Sequence, residues 1–108
     1  MALSQSLAAL ERANHNRLAA YTERARIRAL AGDESKRELA RLLVDADDPG
    51  VLCGKVADYL MCAERIGVSN ATRLMGKADI RRADARLRDL TERQRAVLAD
   101  SLLERVAA

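Results

Sequence analysis

Apolar side chains recur along the first 30 residues at the three- and four-residue spacing of an α-helix. This spacing predicts a first helix over about residues 4–30, with the apolar side chains in one stripe and Gly32 ending the helix. Most arginines of this segment lie off the stripe, so the helix is also expected to be basic. The stripe consists of Leu7, Leu10, Leu18, Tyr21 and Ala25.

Two further helices are predicted in the middle of the chain. Ser35 and Glu38 match a capping box, which predicts a second helix that runs to about residue 46. A third helix is predicted to begin either at Pro49, as a first-turn proline, or near Gly54, and to end by Arg65.

The last two predicted helices follow a glycine turn. Gly67 makes the turn, and Ser69 is the expected N-cap of the fourth helix. Residues 79–90 have weak periodicity and predict an ordered loop with one helical turn. Thr91 and Gln94 match a second capping box, which opens a last helix to about residue 106. The core-facing residues expected in the fourth helix are Ala71, Leu74 and Met75.

The composition agrees with a helical fold. About half of the 108 residues are apolar, but the chain has no Phe, no Trp and only two Tyr. Ala, Leu, Arg and Glu dominate, and these residues favour helix, whereas the residues that favour strands are sparse. We therefore predict an all-α fold of about five helices in a single domain over residues 1–108. A long basic helix occupies 1–31, and a second helical module occupies 51–106.

The charged residues are unevenly distributed. Residues 1–30 carry five basic against two acidic side chains, residues 31–64 carry four against eight, and residues 65–95 carry nine against four. The formal net charge is only +3. Two basic segments around an acidic middle suggest one face for a polyanion and another for solvent.

Residues suited to catalysis, metal binding or membrane insertion are sparse. Cys53 and Cys62 are the only cysteines and His15 is the only histidine, so a zinc site lacks convincing ligands. Motifs for phosphate-binding loops and nucleophile elbows are absent, as are apolar runs of signal-peptide or membrane-span length. We expect a cytoplasmic protein with reduced thiols, no cofactor, no metal and no enzymatic activity.

The stretch from residue 55 to residue 103 carries the strongest functional signal. A helix that starts just after Gly67 presents free backbone N–H groups and its positive dipole end to an anion. Gly67 is expected to adopt a left-handed turn and to allow close backbone approach. The arginines that follow add donors, and a nucleic-acid backbone suits both. The candidate contacts are Gly67, Val68, Ser69, Asn70, Arg73, Arg81, Arg82, Arg86, Arg88, Arg93 and Arg95.

Several motifs in this half of the chain resemble those of the actinobacterial integration host factor family of nucleoid-associated proteins. The resemblance rests on their order and spacing, and the long basic first helix agrees with it. The motifs are Gly54-Lys55-Val56, Ile66-Gly67-Val68, Ala71 with Leu74-Met75, Arg86-Leu87-Arg88, and Leu90 followed by Arg93-Gln94-Arg95.

The resemblance implies a helix–two-turns–helix module that binds double-stranded DNA through phosphates with little sequence preference. Such proteins bend or compact DNA in the nucleoid, and some assist a phage integrase or recombinase. Carried over to this chain, the implied contacts are the turn at Gly67 together with Arg86 and Arg88, and Arg93 and Arg95 are additional candidates. The chain departs from the family in lacking lysines after the glycine and in carrying Ala85 where an arginine is usual.

Composition and charge also bear on the competing interpretations. Proteins that bind single strands stack bases on aromatic rings, and Tyr21 and Tyr59 are both expected to be committed to apolar packing. The main alternative is a small helical interaction protein or phage adaptor that does not bind DNA. A basic amphipathic membrane anchor is disfavoured because the first helix lacks Trp and Phe. A purely structural interpretation is that Gly67 only ends a helix and the arginines are solvated. The DNA-binding domain is expected to be mainly monomeric.

Overall fold

The chain folds into helices, as its composition predicts. A computed structural model describes residues 2–106, with side chains described from residue 7 onward. In this part of the chain the regular structure is helical and no strand forms, which confirms the all-α prediction. The elements are α1 (Ala2–Arg28), α2 (Asp33–Asp45), α3 (Pro49–Leu52), α4 (Val56–Leu60), α5 (Val68–Lys77), a 3₁₀ turn (Leu87–Asp89) and α6 (Glu92–Leu103).

The centre of the core lies between α2 and α6, which pack along each other. Leu39 and Leu43 of α2 and Leu98 and Leu102 of α6 are fully buried. Each such leucine stabilises the fold by about 1.5–3 kcal/mol through loss of its apolar surface from water. The shell around this centre is also apolar and includes Ile27, Val56, Tyr59, Leu60, Leu74, Met75 and Leu87.

The apolar stripe of α1 is exposed, so the expected apolar packing of Tyr21 is wrong. Leu7, Leu10, Leu18 and Tyr21 are 52–62% exposed. Instead α1 contacts the core through Ala20 and Ile27 on the opposite side of the helix. The reason is close packing of α1 against α3. A Cβ on Gly50 would lie 2.7 Å from the Cβ of Ala19, so only small side chains fit between these two helices.

The start of α2 also differs from the prediction. The helix begins at Asp33 after Gly32, whose φ of 59° is left-handed. Ser35 therefore lies inside the first turn and is buried, so it does not cap the helix. Its Oγ donates a hydrogen bond to the Gly32 carbonyl (2.7 Å) and accepts one from the backbone N–H of Glu64 (3.0 Å). Ser35 thus links the start of α2 to the segment that follows α4.

The predicted third helix is two short helices. α3 begins at Pro49, which is one of the two predicted starts. Asp48 caps α3, and its side chain accepts from the Gly50 N–H (2.8 Å). The chain then turns at Gly54, where a Cβ would lie 2.6 Å from the Tyr59 ring. Tyr59 fills this turn and donates its hydroxyl to the Val51 carbonyl (2.5 Å). The prediction of one continuous helix that ends by residue 65 is therefore wrong.

The second half of the chain follows the prediction more closely. Residues 79–90 form a loop with one 3₁₀ turn, and α6 opens with the predicted capping box. The Gln94 N–H donates to the Thr91 Oγ1 (3.1 Å), and the Thr91 N–H donates to the Gln94 side-chain carbonyl (2.9 Å). α5 buries Ala71, Leu74 and Met75 as expected.

Candidate nucleic-acid interface

The glycine turn places an exposed backbone at the start of α5. Gly67 is the N-cap residue, and the predicted cap, Ser69, lies inside the first turn, so that prediction is wrong. The expected left-handed conformation is also wrong, because Gly67 has φ −94° and ψ −173°, an extended geometry open to any residue. The left-handed residues near this helix are Arg65 and Asp79.

No described atom lies within 4 Å of the position that a Cβ on Gly67 would take. The fold therefore has no need of a glycine there. Val68, directly after it, is 71% exposed. The first turn of α5 receives no side-chain cap from the described residues. Gly67, Val68 and Ser69 are all exposed, so the start of α5 is accessible to an anion that could accept from the first-turn N–H groups.

Ser69 and Arg73 extend this exposed surface along α5. They are four residues apart, so they lie on the same side of the helix. The core-facing residues of α5 lie on the other side, and both Ser69 and Arg73 are exposed. Asn70 is partly committed, since its side-chain amide donates to the Arg65 carbonyl (3.4 Å).

Arg81 and Arg82 are exposed but paired with nearby carboxylates. Arg81 lies 3.4 Å from Asp79, and Arg82 makes two hydrogen bonds of 3.1 Å to Asp84. The hydrogen bond from Arg82 holds the pKa of Asp84 below its usual value. Fully exposed pairs of this kind are weak because water screens them, so a phosphate can displace the carboxylate at little cost.

Arg86 and Arg88 lie beside the turn between α3 and α4. Arg86 is half-buried, forms an isolated antiparallel bridge with Lys55 and donates its guanidinium to the Cys53 carbonyl. Its backbone N–H donates to Asp89 (2.9 Å). Arg88 is exposed, with its nearest described partner the Cys53 thiol at 3.8 Å. Arg86 therefore contributes to the fold, whereas Arg88 is available to a ligand.

A groove between α1 and this turn gathers basic side chains from separate parts of the chain. It has a volume of about 640 Å³. Arg17 and Arg24 line it from α1, and Lys55 and Arg86 line it from the bridge. Asp58 is the one acidic residue among the lining residues. The remaining lining residues are Ala13, Asn16, Ala20, Tyr21, Cys53 and Gly54. We call this site the basic groove.

The basic groove contains three residues that the sequence prediction did not single out as contacts. Arg17 and Arg24 are seven residues apart, which places them on the same side of α1. That spacing could have identified them. Lys55 belongs to the motif Gly54-Lys55-Val56, which supported the family resemblance. Its place in that motif could have identified it as a contact residue.

The acidic middle of the chain lies on a different side of α1. Glu23, Glu38, Asp45, Asp47 and Asp48 line a second cavity of about 280 Å³ there, together with Arg26 and Arg41. Arg26 pairs with Glu23 (2.9 Å) and Glu38 (3.1 Å), and these hydrogen bonds raise its pKa. Carboxylates thus outnumber cations in this cavity, whereas cations outnumber carboxylates in the basic groove.

Arg93 and Arg95 have different environments. The Arg95 guanidinium donates to the carbonyls of Leu43 (2.5 Å) and Ala46 (2.6 Å) at the end of α2. Arg93 is exposed and lines a separate cavity of about 410 Å³ near Lys77. The eleven candidates therefore do not form one cluster. They divide among the start of α5, the rim of the basic groove and the end of α5, and Arg95 is occupied by the fold.

The thiols and the histidine are not brought together by any recorded contact. Cys62 is buried, which raises the pKa of its thiol, and it donates to the Asp58 carbonyl (3.2 Å). Cys53 is half-buried in the basic groove, and His15 is exposed on α1. Across residues 2–106, no group of three or more His, Cys, Asp or Glu side chains is arranged to hold a metal ion.

Comparison of the chain with protein-family models, with curated proteins and with solved structures gives no match. The family resemblance therefore stays a prediction that rests on the motifs themselves. None of the helices in the described part of the chain combines the length and the apolar character needed to cross a membrane.

Proposed function

We propose that this protein binds double-stranded DNA through its phosphates, with little sequence preference. The observation that supports this most directly is the basic groove. Its cations come from α1 and from the Lys55–Arg86 bridge, and among the lining residues one carboxylate opposes them. A cleft lined by charges of one sign focuses the electrostatic field and attracts a polyanion.

Phosphate contacts suit the residues of this site. Arginine presents a planar fork of donors that matches phosphate oxygens, and lysine adds a point charge. The exposed N–H groups at the start of α5 offer a second kind of donor, with Ser69 and Arg73 beside them. Contacts of this type hold a protein on the duplex without reading its sequence.

The aromatic residues favour a duplex over a single strand. Single-strand binders use several exposed rings as stacking platforms. Here Tyr59 is fully buried, which leaves Tyr21 as the one exposed ring in a chain that has no Phe and no Trp. A phosphate-binding surface on duplex DNA requires no such platform.

An architectural role in the nucleoid, with DNA bending or compaction, is the biological form of this proposal. Bending a site of 20–30 base pairs costs about 1–6 kcal/mol, which contacts at more than one point on the protein must supply. The basic groove and the start of α5 provide two such points. Assistance to an integrase or recombinase belongs to the same proposal, because such enzymes act on bent DNA.

A fluorescence-anisotropy titration tests DNA binding. It uses a short duplex, a scrambled duplex and a single strand at several salt concentrations. We expect equal affinity for the two duplexes and weaker binding to the single strand. With roughly three to five phosphate contacts, log K should fall against log salt with a slope of about −3 to −5. No binding at low salt would contradict the proposal and would favour the helical adaptor.

Paired charge reversals test the location of the site. Arg24→Glu with Lys55→Glu alters the basic groove, whereas Arg37→Glu with Arg41→Glu makes the same charge change on the outside of α2. We expect the groove variant to lose at least tenfold in affinity and about two units of salt slope. The α2 variant should lose less than about threefold. Equal losses would show that only total charge matters, which would contradict a role for the groove.

A further inference from the structure

The exposed apolar stripe of α1 has no partner among the described residues. Its members, Leu7, Leu10, Leu18 and Tyr21, are each more than half exposed and lie on the side of α1 away from Ala20 and Ile27, with Tyr21 at the edge of the basic groove. The exposed parts of four side chains of this size amount to roughly 400 Å², the size of the largest apolar patch of a typical soluble protein, which is often functional.

The spacing of the stripe is symmetric about Asn14. Leu10 and Leu18 lie four residues before and after it, and Leu7 and Tyr21 lie seven residues before and after it. At 100° per residue, Leu7 and Leu18 fall on one side of the centre line of the stripe, and Leu10 and Tyr21 fall on the other. Asn14 lies on the line itself.

We propose that two copies of this chain pair through this stripe as an antiparallel dimer, with the two-fold axis passing beside Asn14. In this register each residue number and its partner's number add up to 28. Leu7 then lies level with the partner's Tyr21, and Leu10 lies level with the partner's Leu18. In each of these pairs, one side chain comes from one side of the centre line and its partner from the other side. This is the pattern of an antiparallel helix pair.

Asn14 suits the position on the axis. Two amides related by a two-fold axis can each donate to the other's carbonyl oxygen, so neither is left without a partner. The Oδ1 of Asn14 already accepts from Arg17 (2.5 Å) and retains a second lone pair for the partner's amide. A polar residue at one position of an apolar seam fixes the register at some cost in affinity.

The rest of the fold permits this arrangement. α1 packs on its own core through Ala20 and Ile27, on the side away from the stripe. The two helical cores of a dimer would therefore lie on the outside of the helix pair. The four side chains of both copies would together remove roughly 800 Å² from water, less than a standard stable interface buries, so we expect weak association at micromolar or higher concentration.

Sedimentation equilibrium without DNA tests the dimer independently of the proposed function. We expect the mass to rise from 11.9 kDa towards twice that value over a micromolar concentration series. Leu10→Glu should raise the dissociation constant at least tenfold. The control Val44→Glu alters an equally exposed apolar residue on α2 and should leave association within about twofold. A chain that stays monomeric at every concentration would overturn the proposal.

The register is tested by a charge pair. Leu10→Glu with Leu18→Lys places opposite charges level with each other in the antiparallel dimer, so this double variant should associate at least threefold more tightly than Leu10→Glu with Leu18→Glu, which places like charges there. In a parallel pair the same variant brings like charges together. Equal association of the two double variants would overturn the antiparallel register.

Cross-linking gives an independent measurement. In a Cys53→Ser background, Asn14→Cys places two thiols at the two-fold axis and should oxidise to a covalent dimer. Leu10→Cys places them about 12 Å apart along the helix, beyond disulfide reach. Cross-linking of both variants would indicate a parallel pair and overturn the proposal. A monomer that co-sediments with anionic phospholipid vesicles would assign the stripe to a membrane surface and also overturn it.

Discussion

Substitution of Gly67 separates the stability of α5 from its proposed role in phosphate binding. Gly67 has the extended geometry that N-cap residues adopt, and a Cβ there meets nothing within 4 Å. Asn and Asp are among the best N-cap residues, since their side-chain oxygen accepts from N–H groups of the first turn. Both Gly67→Asn and Gly67→Asp should therefore fold and should raise the free energy of unfolding by a few tenths of a kcal/mol.

The two variants should differ in their affinity for DNA. Two like charges about 4 Å apart repel by about 1 kcal/mol in water, which corresponds to about a fivefold change in affinity. If a phosphate binds at the start of α5, Gly67→Asp should bind duplex DNA about fivefold more weakly than Gly67→Asn. The parent should bind more tightly than either, because a capping side chain occupies the N–H groups that the phosphate would use.

Urea denaturation followed by circular dichroism measures the stability of the three proteins, and fluorescence anisotropy at low salt measures their affinity. The difference between the Asp and Asn variants should shrink as salt rises, because exposed charges are screened. If Gly67→Asp folds normally yet binds duplex DNA as tightly as the parent, the start of α5 does not contact phosphate. The basic groove would then have to account for binding without it.

Two further predictions concern the fold. Arg95→Gln should lower the free energy of unfolding by about 2 kcal/mol, because it removes the charged donors to the Leu43 and Ala46 carbonyls. Urea denaturation measures this loss. Arg93→Gln is the matched control and should change the free energy of unfolding by less than about 0.5 kcal/mol. Burial raises the pKa of Tyr59 to about 12, so the folded state keeps a proton that the unfolded chain loses above about pH 10. The stabilisation from this group is complete below pH 10 and should fall by about 2 kcal/mol by pH 12. Denaturation against pH should show a smaller fall in Tyr59→Phe, and equal falls would contradict the assignment.

The elements that could be predicted from the sequence are those set by local chemistry. Thr91 and Gln94 cap α6 because the side chain of each accepts from the backbone N–H of the other, three residues away. Pro49 begins α3 because its fixed φ and its missing N–H suit the first turn of a helix. The face of α1 was not predictable in this way, because the helix carries both an apolar stripe and a face of small residues. Contact at Gly50 decided between them, and that contact depends on the tertiary fold.

The candidate site shows the same division. The basic character of both segments was evident from the sequence, but the groove that joins them depends on the bridge between Lys55 and Arg86. Nor does the sequence distinguish an arginine that the fold uses from one that is free. Arg95 and Arg93 are two residues apart in the same helix turn, yet one holds the end of α2 and the other faces solvent.

The distribution of ion pairs explains how a modest net charge is compatible with phosphate binding. Several cations on or beside α2 are paired with carboxylates in the described structure. They are Arg26, Lys36, Arg37 and Arg41. By contrast, Arg24, Lys55 and Arg88 make no ion pair within residues 2–106, and all three lie in or beside the basic groove. Carboxylates of the acidic segment thus neutralise charge on one side and leave it available on the other. Because counterion release depends on the phosphates that are actually contacted, this local charge, and not the total of +3, determines the expected salt dependence.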